Sequence, residues 1–446
     1  MKIVIAGAGS MGFHLAQLLS YEKQDITLID TNQDVLDYAQ SHLDVLVIQG
    51  DSSSVEILKN ADIQKAQLFL AVTASEKNNL ISAIIAKNLG VKQTIARVKN
   101  LEYLEPIQRE HFSNLGIDHM ISPIQLASQE IERLVRHCEV TDNFEFEGGK
   151  LNLNGITIDN SSNWAGQSLE AISKLSRKDV FYPIAILRAD QTILPRPNTI
   201  IQDRDHIYFM SQKDKLNELV ELLGKELVKV KNIMIIGGTE LGLQTAKLLE
   251  HKYNVTLVEK NRETCRRFVA QLDNTLVVKG DPSNIELLLE EGLTEMDAFI
   301  ALTPNSETNI LTSLMAEHNG VYKTIALVDN TAYTHISQNI GVDTLINKKL
   351  IAANNIFRFV RKGKIEAIAT PHGVRAEIIE FVVQKSNRLT KKPLRELRFP
   401  ENSLIGGVIR GEETIIPTGE FQLQIQDKVI IFTMPESIGK VEKLFR

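Results

Sequence analysis

Residues 2–12, "KIVIAGAGSMG", carry a β-branched apolar run straight into three spaced glycines, Gly7, Gly9 and Gly12, and a helical pattern, "SMGFHLAQLL", takes over from Ser10. Each glycine has its own task at such a strand-to-helix junction. The first makes a tight turn, the second lets a pyrophosphate approach the backbone, and the third brings helix against strand. Amides at a helix start point outward at an anion, so Gly7, Ala8, Gly9, Ser10, Met11 and Gly12 form one candidate nucleotide-binding stretch. The same residues also suit a plain glycine turn with an acidic cap. Asp30 ends the next apolar run, "DITLID". A carboxylate there accepts from ribose hydroxyls and repels a 2′-phosphate, which favours NAD(H) or an adenosine nucleotide over NADP.

Working outward, the same text occurs twice. "KIVIAGAGSMGFHLAQLL" at 2–19 returns as "NIMIIGGTELGLQTAKLL" at 232–249, "VIQGDSSSVEIL" as "VVKGDPSNIELL", and "FLAVTASEKNNLISAIIA" as "FIALTPNSETNILTSLMA". A further pair, "ILRADQTILPRPNTIIQDRDHIYFM" and "VIRGEETIIPTGEFQLQIQDKVIIF", keeps Arg188 with Arg410, Pro195 with Pro417 and Asp205 with Asp427. Internal repetition decides architecture before any single element does. Short β-branched runs at 2–6, 25–29, 45–48, 68–72 and 94–98 alternate with helical patterns, which predicts β-α-β units and a parallel sheet. Helices at about 122–137 and 347–361 follow, then hairpins turning at Gly148-Gly149 and at His372-Gly373, then β-rich segments. Four domains result: N1 at 1–137, C1 at 138–228, N2 at 229–362 and C2 at 363–446. The fold class is α/β, two Rossmann-like doubly wound parallel-sheet domains, each followed by a smaller α+β domain.

Composition excludes several functions. The 446 residues are 43% hydrophobic and 24% charged, with a formal charge of −6, so no basic field exists to condense on nucleic acid. The chain start lacks a signal core, and no run of about 18 apolar residues occurs, so a cytoplasmic protein is expected. Cys138 and Cys265 form no C-x-x-C, and the ten histidines show no paired-ligand spacing, so no metal is assigned.

Loops after strands meet ligands at the carboxyl edge of such sheets. Gly50-Asp51-Ser52 is either an adenosine contact or a helix cap. Thr73, Glu76 and Asn79 either line the cleft or cap a helix, and Thr73 with Glu76 has capping-box spacing. Arg97 either faces phosphate or joins an ion pair. Ile124, Ala127, Ile131, Leu134 and Val135, with Leu350, Ala353, Ile356, Phe357 and Val360, recur at helical spacing. They either cross onto a neighbouring N domain or pack within their own.

The strings "IAGAGSMG", "LID", "QGDSSS", "LAVTASEKNN" and "ARVKN", in two copies each followed by a β-rich domain, resemble the KTN/RCK family of potassium-transport regulators across essentially the whole chain. The resemblance implies a cytoplasmic homo-oligomer, a tetrameric ring of RCK N and C domains, peripheral on the inner face of the membrane. It implies NAD(H), and ATP or ADP, as ligands and an integral-membrane potassium subunit of the Trk type as partner. By matching motif, Gly7, Ala8, Gly9, Ser10, Met11 and Gly12 would hold phosphates, Asp30 the ribose, and Gly50, Asp51 and Ser52 the adenosine region. Thr73, Ala74 and Arg97 would line the rest. The rival readings are a nicotinamide-dependent oxidoreductase, against which no Tyr-x-x-x-Lys occurs, and a nucleotide sensor with no membrane partner. No catalytic residue is assigned.

The second copy is altered. Gly237, Gly238, Thr239, Glu240, Leu241 and Gly242 repeat the loop with Thr239 in place of the middle glycine, Glu259 stands for Asp30, Asp281 for Asp51, Thr303 for Thr73, and Leu327 for Arg97. N2 is therefore expected to keep its fold and to bind nucleotide more weakly, or a different one.

Overall fold

A computed structural model describes residues 1–21, 24–158, 162–175, 181–189, 191–213, 215–225, 228–329, 342–361, 368–369, 374 and 376–445. In the first quarter, strands and helices alternate: β1 (Lys2–Ala6), α1 (Ser10–Tyr21), β2 (Asp25–Asp30), α2 (Gln33–His42), β3 (Leu46–Gln49), α3 (Val55–Asn60), β4 (Leu68–Ala71), α4 (Glu76–Asn88), β5 (Gln93–Arg97), α5 (Pro106–Asn114), β6 (His119–Ile121) and α6 (Pro123–Arg136). The sheet runs β3-β2-β1-β4-β5-β6 with parallel pairing throughout. Strand order reverses beside β1, and that switch point opens a crevice at the carboxyl ends of β1 and β4. β1 reads Ile-Val-Ile-Ala without polar interruption because helices cover both faces, and those four residues are fully buried.

An antiparallel domain follows: β7 (Asp142–Phe146), β8 (Leu151–Thr157), α7 (Leu169–Leu175), β9 (Phe181–Arg188), β10 (Gln191–Ile193), β11 (His206–Gln212) and α8 (Leu216–Leu222), in the order β10-β9-β11-β8-β7. The hairpin between β7 and β8 turns through Gly148 and Gly149, both at positive φ, as glycine permits.

The second copy rebuilds the parallel sheet: β12 (Asn232–Ile236), α9 (Glu240–Leu249), β13 (Asn254–Glu259), α10 (Arg262–Val269), β14 (Thr275–Lys279), α11 (Ile285–Glu290), β15 (Ala298–Ala301), α12 (Ser306–His318), β16 (Lys323–Leu327), β17 (Thr344–Ile346) and α13 (Lys348–Arg361). Its order, β14-β13-β12-β15-β16-β17, repeats that of the first sheet. β18 (Ile368–Ala369), β19 (Glu377–Val382), α14 (Arg388–Lys391), β20 (Ser403–Arg410), β21 (Glu413–Ile415), β22 (Lys428–Thr433) and α15 (Ile438–Phe445) complete the chain, ordered β18-β19-β22-β20-β21. The architecture is thus α/β, two doubly wound parallel sheets each followed by a smaller antiparallel α+β domain. The expected turn at His372-Gly373 lies outside the described residues.

Backbone contacts divide the chain into two compact units, Met1–Glu130 with Leu243–Leu248 and Ile346–Val360, and Ile131–Gly242 with Leu249–Leu345 and Arg361–Arg446. Most of α13 therefore belongs with the first sheet, not with the second copy that precedes it. His14 of α1 bonds Asn354 of α13, and burial lowers the His14 pKa. The last turns of α6 fall in the other unit, where Glu132 pairs with Lys252 at 3.0 Å. Inside the second unit, the two antiparallel sheets share one core through Leu151, Leu153, Tyr208 and Met210 from the first and Ile378, Ile409, Ile430 and Phe432 from the second. The repeated Arg188 and Asp205 form a bidentate pair at 2.7 and 2.8 Å, and Arg410 with Asp427 repeats it at 2.8 Å.

Candidate functional site

The loop between β1 and α1 is shaped by its glycines. Gly7 has φ +102°, and a Cβ there would lie 2.9 Å from the Thr73 nitrogen; one on Gly12 would lie 1.7 Å from the Gly7 carbonyl oxygen. Neither position tolerates a side chain. A Cβ on Gly9 meets nothing within 4 Å, so the space above it is open to a ligand. Ser10 is exposed where α1 begins, while Ala8 and Met11 are buried against the fold. Asp30 receives the Ala8 amide at 2.7 Å and the Asn32 amide at 3.0 Å. Those bonds fix its carboxylate at the crevice edge, with lone pairs left over for a hydroxyl.

On the other side of the crevice, Asn79 of α4 holds two loops together. Its Oδ1 accepts from the Thr73 amide at 2.9 Å and hydroxyl at 2.7 Å, and its Nδ2 donates to the Arg97 carbonyl at 2.9 Å. Ser75, not Thr73, caps α4 by accepting from the Asn78 amide, and the Glu76 carboxylate accepts from the Lys99 and Asn100 amides. The capping-box alternative for Thr73 and Glu76 does not hold: Ser75 stands nearer the helix start. Ala74 is exposed beside it.

Arg97 is the unusual member. No carboxylate lies within ion-pair distance of it among the described residues, its Nη1 reaches the Thr73 carbonyl only at 3.4 Å, and its buried Nε has no hydrogen-bond partner. Burial lowers its pKa, yet a guanidinium stays charged. A partly buried cation with an orphaned donor fits an anion approaching from the crevice.

Gly50, Asp51 and Ser52 are arranged for local structure first. A Cβ on Gly50 would lie 2.4 Å from Ile57, so glycine lets α3 pack closely. Asp51 accepts from the Ser53 amide and hydroxyl, which lower its pKa. The Ser52 hydroxyl is buried and bonds Ser82 at 2.9 Å, away from solvent.

The second copy departs at the residues that matter to an anion. The Thr239 hydroxyl donates to the Leu302 carbonyl at 3.0 Å and accepts from the Gly242 amide at 3.1 Å. It caps α9 with the chain's own oxygen and fills the place left open above Gly9. Gly237 keeps φ +106° against Thr303. Glu259 receives the Gly238 amide at 2.6 Å and the Asn261 amide at 2.7 Å, reproducing the contacts of Asp30. Thr303 and Asn309 repeat the clasp of Thr73 and Asn79, and Asn309 donates to the carbonyl of a buried Leu327. Asp281 repeats the turn of Asp51 with Ser283. Glu240 is exposed at the helix start and Leu241 is buried.

Comparison with known proteins agrees with this repeat. The TrkA-N domain model matches residues 3–123 and 233–348, and the TrkA-C domain model matches 155–224 and 378–446. The chain belongs to the TrkA family. Trk system potassium uptake protein TrkA homolog 1 of Methanosarcina mazei is 32% identical over the whole length of both chains. The TrkA protein of Haemophilus influenzae is also 32% identical, over 100% of this chain and 99% of its own. Among solved structures, the GsuK channel covers all of this chain and 78% of its own with a TM-score of 0.61 at 17% identity. The GsuK channel bound to NAD gives 0.59 over the same shares.

The TrkA-N match spans both parallel-sheet copies, yet only the first combines an open glycine with a cation across the crevice. Sequence reasoning missed Asn79 as the clasp between Thr73 and Arg97, although its recurrence as Asn309 was a usable signal. No helix among the described residues is long and apolar enough to cross a membrane.

Proposed function

We propose that this TrkA-family chain is a nucleotide-sensing regulator that binds NAD(H) or an adenine nucleotide in N1 and gates a membrane potassium-uptake subunit of the Trk type. In this reading the four domains divide at 1–137, 138–228, 229–362 and 363–446, and the regulator acts as a homo-oligomeric ring at the inner membrane face. The observation that carries it is the pairing of open space above Gly9 with the Arg97 guanidinium, whose buried Nε has no hydrogen-bond partner. Phosphates enter over Gly9 toward the start of α1, Asp30 takes ribose hydroxyls, and Arg97 meets the remaining negative charge. A ligand moves the assembly only through different affinity for two arrangements of it. Nucleotides of different length and charge supply that difference.

Calorimetric titration of the full chain with NAD, NADH, ATP and ADP tests the site. Gly9→Val projects its side chain into the open space, so the fold persists and tight nucleotide binding is lost. Unchanged affinity with an unchanged circular-dichroism spectrum would show that N1 is not the site.

A further inference from the structure

Lys323, at the start of β16, is fully buried. Its Nζ donates to the carbonyl oxygen of Val140 at 2.9 Å, in the segment that enters the first antiparallel domain. Burial depresses its pKa, while Asp343, Asp142 and Glu139 act on the charge from a distance. Two further bonds hold the same segment: the Cys138 thiol donates to the Val228 carbonyl at 3.1 Å, and the Thr141 amide to the Gly155 carbonyl at 2.9 Å. Just beyond, Asp142 accepts from the buried Tyr208 hydroxyl at 2.7 Å and lies 3.6 Å from His206 Nε2. A buried ammonium is costly, and a hydrophobic residue of similar length would fold as well or better. Stability alone therefore does not account for lysine here. The first copy has Gln93 at this position, beside Lys92, Asp118 and His119 around a cavity of about 600 Å³.

We infer that Lys323 is a positioning residue that keys the entry of C1 onto the sheet of N2, so that C1 moves with the copy that follows it in the chain. The charge is used for direction. Lys323 donates into the connection at Val140, while Cys138 and Thr141 on either side of it donate outward to the Val228 and Gly155 carbonyls, so the segment is tied down from both directions. Displacement at the lower edge of the N2 sheet is then transmitted to β7 without passing through N1.

Hydrogen exchange of the full chain, read by mass spectrometry over peptides covering 138–143, tests this with Lys323→Met and Lys323→Gln. Lys323→Met is expected to leave the melting temperature unchanged or raised, and to speed exchange in 138–143 at least tenfold while β12 and β15 keep their protection. Lys323→Gln retains an N–H donor on a shorter arm and is expected to speed exchange less. If both variants fold and exchange in 138–143 matches the parent, the inference is overturned. A uniform loss of protection across N2 also overturns it, because the lysine would then be serving the sheet rather than the connection.

Discussion

At the scale of single residues, Arg97 separates a site from a fold. Apart from the open Gly9, its neighbours in the N1 crevice have internal explanations: Gly7 and Gly12 are forced by contacts, Asp30 holds two amides, and Asn79 clasps two loops. Arg97 has an orphaned donor instead. Its counterpart Leu327 shows that the fold accepts an apolar residue there. Arg97→Leu is therefore expected to leave thermal stability unchanged while weakening nucleotide binding about ten- to hundredfold, the worth of a charge-assisted hydrogen bond. Paired melting curves and calorimetric titrations check both parts. A fall in stability with unchanged affinity would make Arg97 a structural residue.

At the scale of elements, the two loops after β1 and β12 show one backbone solved with two residue pairs. Ala8 with Asp30 and Gly238 with Glu259 each join an amide to a carboxylate, at 2.7 and 2.6 Å. The longer glutamate leaves no room for a methyl: a Cβ on Gly238 would lie 2.5 Å from Glu259 Cγ. Gly238→Ala should cost about 1–3 kcal/mol as an overpacked contact, seen as a melting temperature several degrees lower. Adding Glu259→Asp should recover most of it, and a double-mutant cycle with no coupling would refute the pairing. The strands were legible because β-branched runs and their repetition are local signals; those at 2–6 and 25–29 end within one residue of β1 and β2. β6 and β17 were not, since strands of three residues carry no alternation to read. The cap of α4 was misplaced because Ser75 and Thr73 both suit a cap, and only geometry chooses between them. Ser52 looked like a ligand contact because its loop lies at the right edge, but its hydroxyl turns inward to Ser82.

At the scale of the whole molecule, duplication followed by divergence leaves two sheets of one order and two crevices of different chemistry. In N2 the Thr239 hydroxyl already satisfies an amide at the start of α9, and no cation stands at position 327. Nucleotide binding to the parent chain is therefore expected to show one tight site per chain, with any second event much weaker. The double substitution Thr239→Gly with Leu327→Arg restores both features of N1, and it should raise the stoichiometry toward two. Glycine at 239 removes a cap side chain, so that substitution is also expected to cost roughly a few tenths of a kcal/mol of stability in the absence of ligand. Ligand then returns stability by mass action, and the melting temperature of the double variant should rise more steeply with nucleotide concentration than that of the parent. Each single substitution should fall short, because an open loop without a cation, or a cation facing a capped helix, leaves the anion half held. A parent chain that binds two equivalents with equal affinity would mean that the threonine and leucine do not decide occupancy, and that the two copies sense alike.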